Sequence, residues 1–177
     1  MKKLIPVFCV LIVALVLCSC ASKPAVVMPP DWKYEKEAIR IHLKGDPQLN
    51  LYQGKNHTLV LCVYHLRDPN AFHQLADEKD GISKLLECGR FDPAVTYTKR
   101  LVVQPGQEVR ESLDRTEGAK YVGIAAGYYL LQKERATRVF EIPVVEEKKS
   151  GAMLSKPAVL NIDLYLGSQG IQQVGGK

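Results

Sequence analysis

The sequence predicts an all-β protein, mainly a two-sheet β-sandwich of about seven strands with a short helical insertion. From Ala38 onward, apolar residues recur with a period of two far more often than with the helical period. Turn-forming Gly, Pro, Asn and Asp residues separate these apolar runs. One stretch after Asp68 changes to the helical period, and it is the predicted insertion.

The first two predicted strands differ in burial. Ile39, Ile41 and Leu43 alternate with polar residues, which indicates a half-buried strand that ends at the Gly-Asp-Pro of residues 45–47. After a loop of about a dozen residues, positions 58–66 are almost all apolar. A strand that is apolar on both faces belongs in the interior of a sheet, so we expect this one to be central.

The helical insertion follows the central strand. Asp68, Pro69 and Asn70 offer a helix start, and apolar residues then recur at helical spacing on both sides of Gly81. They are Ala71, Phe72, Leu75, Ala76, Ile82, Leu85 and Leu86. We expect two short helices, or one that is broken at Gly81, with Gly89 as the C-terminal stop.

A turn divides the next two predicted strands. Residues 95–103 read as a strand, and Gln104-Pro105-Gly106-Gln107 places Pro and Gly where a type II turn needs them. Residues 108–113 are then expected to pair with 95–103 as a β-hairpin.

The remaining strands are predicted at 120–131, 137–145 and 158–166. The first contains glycines, which suggest that a backbone or a bulky side chain lies close above it. The polar residues 146–156 predict a mobile loop, and residues 168–177 a flexible C-terminal tail with little to bury.

The first 19 residues have the features of a signal peptide. Two lysines precede an apolar run of roughly fourteen residues, which is too short for a bilayer that needs about twenty. The run ends in Cys18-Ser19-Cys20, which resembles the lipobox of bacterial lipoproteins. Cys20 is the expected lipidation site because the small Ser19 precedes it, whereas the bulky Leu17 precedes the competing Cys18.

Lipidation of Cys20 decides the expected location. A diacylglycerol (palmitate-type chains) and an N-acyl chain would anchor the protein stably, because each buried CH₂ contributes about 0.8 kcal/mol. Ala21 and Ser22 are neutral, which in such lipoproteins favours the periplasmic face of the outer membrane. Residues 20–36 contain three prolines and predict an extended tether, followed by a single β-sandwich domain at 37–167.

Charge argues against nucleic acid as a partner. Loss of Lys2 and Lys3 with the signal lowers the formal net charge from +5 to +3. The basic residues are scattered, and no aromatic residues interleave with a basic stripe.

Two cysteines remain in the predicted domain, Cys62 and Cys88. Two arrangements fit them. An exported protein favours a disulfide between them, while two buried free thiols would pack as small hydrophobic groups.

No pattern of catalytic or metal-binding residues is present in the sequence. The four histidines, at positions 42, 57, 65 and 73, lack a second ligand type at metal-site spacing. No G-x-S-x-G elbow, glycine-rich phosphate loop or Cys-His arrangement occurs. We therefore expect no enzymatic activity, no metal, no small-molecule substrate and no cofactor besides the lipid on Cys20.

Several short segments together carry a resemblance to a known family. They are the lipobox, Leu49-Asn50 in the first loop, Val63-Tyr64-His65-Leu66, Phe72 at the opening of the insertion, Gln104-Pro105-Gly106, and Tyr121-Val122-Gly123-Ile124-Ala125-Ala126 followed by Tyr128. In this order and spacing they resemble the TssJ family, the outer-membrane lipoproteins of the type VI secretion system. The resemblance extends over about residues 38–166.

That resemblance implies a transthyretin-like sandwich without catalytic activity. It also implies a partner, the periplasmic C-terminal region of the inner-membrane protein TssM, in a membrane complex that TssL completes. In members of that family the loop between the first two strands takes part in the contact, and the corresponding residues here are 45–57. The expected partner-binding residues are Leu49, Asn50, Leu51 and Tyr52, because apolar and aromatic anchors dominate such interfaces.

Alternatives remain open at this point. Leu49 and Leu51 could simply cap the end of the sandwich. The chain could also be a pilot or assembly lipoprotein of another envelope secretion or adhesin system. An envelope hydrolase would need two carboxylates about 5 to 10 Å apart in a cleft, and a carbohydrate-binding sandwich would need a row of exposed aromatic residues.

Overall fold

A computed structural model describes residues 27–149 and 152–175. Within these ranges it contains eleven strands and three short helices. The strands are β1 (Val27–Met28), β2 (Glu35–Gly45), β3 (Leu59–Leu66), β4 (Val95–Val103), β5 (Glu108–Arg115), β6 (Tyr121–Ala126), β7 (Thr137–Glu141), β8 (Val144–Lys149), β9 (Ala152–Pro157), β10 (Leu160–Leu166) and β11 (Ile171–Gly175). The helices are α1 (Asn70–Asp77), α2 (Gly81–Leu85) and α3 (Lys133–Ala136).

Two four-stranded sheets form a β-sandwich, as the alternating pattern predicts. We call them the β2 sheet, with order β11-β10-β2-β5, and the β3 sheet, with order β4-β3-β6-β7. Neighbouring strands are antiparallel except β2 and β10, which pair in parallel with Ile41 opposite Ile162. Inward side chains of both sheets form the main core, among them Ile39, Ile41, Leu43, Leu61, Val63, Ile124, Ile162 and Leu164. The all-β prediction is confirmed.

The central strand β3 is buried on both faces, as predicted. Leu59, Leu61 and Val63 enter the main core. Tyr64 and Leu66 point to the opposite face and join a second apolar cluster beneath the helices. The helical insertion therefore covers the outer face of the β3 sheet.

The predicted two-helix insertion is confirmed, and its break falls at the expected place. Helix α1 buries Phe72 and Ala76, and α2 begins at Gly81. The expected stop at Gly89 is wrong, because α2 ends at Leu85 and the left-handed residue that follows it is Cys88, with φ 56°.

The turn at 104–107 is present, but the predicted hairpin is wrong. Gln107 N–H donates to the Gln104 carbonyl at 3.0 Å, and Gly106 has φ +73°, as a type II turn requires. However, β4 pairs with β3, whereas β5 pairs with β2. The turn thus carries the chain from one sheet to the other. A type II turn does not have the twist that favours hairpin pairing, which is consistent with this role.

Four other predicted segments differ from the structure. The strand expected at 120–131 ends at Ala126, and the one expected at 137–145 divides into β7 and β8 around Pro143. The loop expected at 146–156 is mostly strand, because β8 pairs antiparallel with β9. In the predicted tail, β11 pairs with β10, and Ile171 is buried in the main core.

The predicted tether at 20–36 also differs in its described part. β1 pairs in parallel with β9, and the small sheet β1-β9-β8 results. Strand β2 already begins at Glu35. The predicted signal peptide (1–19) and Cys20 lie outside the described residues. Across the described ranges no helix has the length and apolar character that crossing a bilayer demands.

Candidate partner-binding surface

The loop between β2 and β3 is anchored at its start by Asp46. The Asp46 carboxylate accepts hydrogen bonds from the Tyr165 hydroxyl and from the Gln48 N–H. The Tyr165 hydrogen bond is the main cause that holds the pKa of Asp46 below its usual value. The Asp46 carbonyl accepts the Leu49 N–H at 2.9 Å, so the chain turns back toward the core. This turn fixes where the next residues point.

Leu49 points inward. Its side chain has 0% exposure and belongs to the main core. This burial agrees with the alternative in which Leu49 caps the end of the sandwich.

Asn50 connects three chain segments at this end. It is buried and adopts a left-handed conformation with φ 50°, which Asn tolerates better than most residues. Its Oδ1 accepts the Tyr129 N–H at 3.0 Å, and its Nδ2 donates to the Thr58 carbonyl at 3.3 Å. Its own N–H donates to the Gly167 carbonyl at 3.4 Å. Asn50 thus positions its neighbours from a buried site.

The loop tip presents an exposed aromatic pair. Tyr52 and Tyr129 stack with ring centroids 4.3 Å apart and an interplanar angle of 8°. Tyr52 is 43% exposed and Tyr129 is 51% exposed. The ring centroid of His57 lies 4.8 Å from that of Tyr129, with an interplanar angle of 66°, so His57 packs against the pair. An isolated antiparallel β-bridge between the backbones of Tyr52 and Lys55 closes the loop tip.

Apolar side chains beside the aromatic pair extend the surface. Leu130 is 54% exposed, and Leu51 is partly exposed, while the Leu51 N–H donates to the Ser168 carbonyl at 2.8 Å. A depression of about 70 Å³ lies between these residues and the turn at 168–169. We call Leu51, Tyr52, Tyr129 and Leu130 the aromatic end surface. Exposed aromatic and aliphatic groups on hydrogen-bonded loops are suited to binding another protein.

The sequence pointed to half of this surface. The predicted residues Leu51 and Tyr52 lie on it, whereas the sequence pattern places Tyr129 and Leu130 in a strand at 120–131. The signal that marks them is Gly127 followed by consecutive apolar residues, since a half-buried strand would alternate there.

The other predicted residues lie elsewhere in the fold. Cys62 on β3 and Cys88 after α2 are joined by a disulfide, with Cα atoms 5.1 Å apart. His42 Nδ1 lies 3.0 Å from Asp163 and its Nε2 lies 2.6 Å from Glu108. The two carboxylates therefore contact opposite edges of the ring and cannot share one metal ion with it. No group of three His, Cys, Asp or Glu side chains suited to a metal ion occurs within 27–149 and 152–175.

Comparison with known proteins identifies the family. A family model named T6SS-SciN, described as type VI secretion lipoprotein, VasD, EvfM, TssJ, matches residues 37–163. A search of curated proteins gives no match.

Three solved structures are similar to this chain in fold. The T6SS lipoprotein TssJ1 from Pseudomonas aeruginosa has 21% identity and a TM-score of 0.57, over 84% of this chain and 98% of that one. A chain in the structure of the T6SS protein TssM C-terminal domain (869–1107) from EAEC has 14% identity and a TM-score of 0.58, over 77% and 97%. A chain of a type VI membrane complex has 17% identity and a TM-score of 0.57, over 81% and 98%.

The family match covers most of the folded domain and agrees with the fold of the solved relatives. Proteins of this family are structural lipoproteins of type VI secretion and not enzymes. The present chain belongs to the TssJ family of type VI secretion lipoproteins.

Proposed function

We propose that this lipoprotein ties the inner-membrane protein TssM to the outer membrane. Acyl chains on Cys20 would hold it at the periplasmic face of the outer membrane. The aromatic end surface would bind the periplasmic C-terminal region of TssM, in a complex that also contains TssL. The role is mechanical, since one anchor and one protein contact connect two membranes.

The observation that carries the proposal is the exposed stack of Tyr52 and Tyr129. Burying two such rings against a partner would remove a large apolar area from water, at about 25 cal/mol per Å². Asn50 already orders both loops, so little conformational entropy is lost on binding.

The arrangement along β2 also supports a tether. The chain enters β2 at Glu35 from the N-terminal side and leaves at Gly45, directly before the loop that carries Tyr52. Eleven residues at about 3.3 Å each separate the two points by roughly 30 Å. The N-terminal entry and the aromatic end surface thus lie at opposite ends of the strand.

The EAEC structure adds support for the partner. Its alignment covers 97% of the matched chain with only 77% of the 177 residues here. The matched chain is therefore shorter than this protein, whereas the TssM segment 869–1107 is longer. The similarity is consistent with a TssJ-like chain that accompanies the TssM domain.

The binding role is tested by charge substitution on the surface. Tyr52→Asp and Tyr129→Asp should each weaken affinity for the TssM periplasmic region by at least about 30-fold, as expected for an interface hot spot. Val145→Asp, on β8 and also exposed, is the matched control and should not change affinity. Titration calorimetry gives the affinities, and circular dichroism checks the fold. Unchanged affinity in both tyrosine variants would place the interface elsewhere.

The anchoring role is tested by labelling cells with radioactive palmitate. Wild-type protein and Cys18→Ser should incorporate label and fractionate with the outer membrane. Cys20→Ser should incorporate none and should abolish secretion. Label retained in Cys20→Ser would contradict this anchor.

A further inference from the structure

The segment before β2 lies against the sandwich instead of hanging free. Trp32 packs partly buried on the main core, and its carbonyl accepts the Gly118 N–H at 2.7 Å. The guanidinium carbon of Arg115 lies 5.7 Å from the centroid of the Trp32 ring, a cation–π distance. Trp32 therefore binds the domain, although it lies within residues 20–36, which the sequence predicts to be an extended tether.

Arg115 is the centre of this contact. Its side chain on β5 is only 3% exposed, and its Nη2 donates to the Lys33 carbonyl at 2.9 Å and lies 3.1 Å from the Glu35 carboxylate. Its Nε and Nη1 have no hydrogen-bond partner among the residues that the structure describes. In the described part of the chain, the docked segment leaves two of the guanidinium nitrogens without hydrogen bonds, whereas water would bind all of them after release. Docking therefore stabilises the buried guanidinium little relative to the hydrated one. The contact is specific but weak.

The docked segment is followed by irregular pairing on its downstream side. Upstream, within the described residues, β1 pairs with β9 at Val27 and Met28, opposite Met153 and Leu154. Downstream, the register with β5 shifts between Glu35 and Ile39, and Glu37 there has φ 50°. Regular pairing begins only at Ile39. The segment can therefore detach by local opening while the core strands stay paired.

We propose that residues 27–35 form a releasable leash, held by Trp32 and Arg115, that sets how far the domain stands from the membrane. The consequence for reach rests on the lipid anchor proposed above. With the leash docked, seven residues from Cys20 to Val27 span at most about 25 Å; with residues 27–35 released, sixteen residues from Cys20 to Lys36 span at most about 55 Å. Release more than doubles the distance that the anchored protein can bridge.

The wild-type protein provides the first test. Trp32 is the only tryptophan, so its fluorescence reports on the leash alone. In urea titration of the mature full-length chain, its emission should shift to longer wavelength at a lower concentration than the loss of far-UV circular dichroism. Coincident transitions would overturn the proposal, since the segment would then unfold with the sandwich.

A variant provides the second test in native buffer. Arg115→Ala should shift Trp32 emission to longer wavelength and raise acrylamide quenching about twofold, with the far-UV spectrum unchanged. Arg110→Ala, an exposed arginine on the same strand, is the control and should leave both unchanged. Native-like Trp32 emission in a folded Arg115→Ala protein would overturn the proposal that Arg115 holds the leash. The wild-type titration decides the proposal even where Arg115→Ala does not fold.

These readouts are independent of the proposed function. Neither requires acylation of Cys20 nor the TssM partner, so failure of the leash leaves the binding and palmitate experiments to be judged separately.

Discussion

His65 is a titratable side chain without access to solvent. It is fully buried on β3, its Nδ1 lies 3.4 Å from the Thr116 hydroxyl, and its Nε2 has no partner among the described residues. Burial lowers the pKa of His65 to about 4. The folded protein therefore contains the neutral imidazole over most of the acidic range.

This burial predicts a dependence of stability on pH. The unfolded chain binds a proton at His65 below about pH 6.5 and the folded chain only below about pH 4, so stability falls as pH decreases between these values. The total loss is about 3 kcal/mol. His65→Gln should remove this component, most visibly between pH 6.5 and 5, before the carboxylates titrate. Urea unfolding at several pH values measures it, and an identical slope in both proteins would contradict the assignment.

Gly123 on β6 shows why small residues interrupt that strand. A Cβ there would lie 2.9 Å from Cε2 of Phe72 and 3.2 Å from Cδ1 of Leu66. The sequence-based expectation of a bulky group above this strand is confirmed at Gly123.

Substitution at Gly123 should therefore be costly. Gly123→Ala should destabilise the protein by about 1 to 3 kcal/mol, because the helical insertion must shift from the sheet. Gly89→Ala is the matched control, since a Cβ at Gly89 meets open space. Thermal unfolding compares the two, and equal melting temperatures would rule out the close contact with Phe72.

The candidate site could be predicted only in part at this scale. In an irregular loop no periodicity tells which apolar residue faces inward, so Leu49 and Tyr52 looked alike in sequence. Hydrogen bonds from Asp46 and Asn50 make the distinction, and they involve residues up to 119 positions apart in the sequence.

At the scale of elements, strand identity was more predictable than strand pairing. The alternating pattern located β4 and β5, but both patterns fit either a hairpin or a crossing between sheets. The Gly106 N–H donates to the Asp46 carbonyl, so the turn is held against the end of β2 by a contact distant in sequence. Pairing depends on such contacts, which local sequence does not contain.

The pairing of β8 with β9 is hard to predict from sequence for a different reason. Glu146-Glu147-Lys148 lacks any apolar alternation, and the side chains of residues 144–148 are all exposed. A strand without a buried face has no period-two signal. Backbone pairing with β9 alone defines it.

The disulfide joins the helical insertion to the central strand. Cys62 lies on β3 within the second apolar cluster, and Cys88 follows α2 at a separation of 26 residues. On the loop-entropy model, closing a loop of this size stabilises the folded state by about 3 kcal/mol.

Removal of this bond should be measurable. The double variant Cys62→Ala, Cys88→Ala should lose about 3 kcal/mol of unfolding free energy in urea titration. Reductant should lower the midpoint of the wild-type protein and have no effect on the double variant. If reductant does not change the urea midpoint of the wild-type protein, the two cysteines are not bonded in the isolated protein.

At the scale of the whole molecule, the two sheets have different outer faces. Helices and the disulfide cover the outer face of the β3 sheet. The outer face of the β2 sheet presents polar and charged residues, such as His42, Arg40 and Arg110. The aromatic end surface stands apart from both, at the end of the sandwich where the loops after β2 and β6 meet.

The central claim is that this end contacts TssM while Cys20 holds the protein on the outer membrane. Site-specific photocrosslinking in intact cells tests it most directly, with a photoreactive amino acid at position 52 and, as control, at position 145. Position 52 should give an adduct with the periplasmic region of TssM in the outer-membrane fraction, and position 145 should give none. An adduct from position 145 alone, or no TssM adduct from position 52, would contradict the claim.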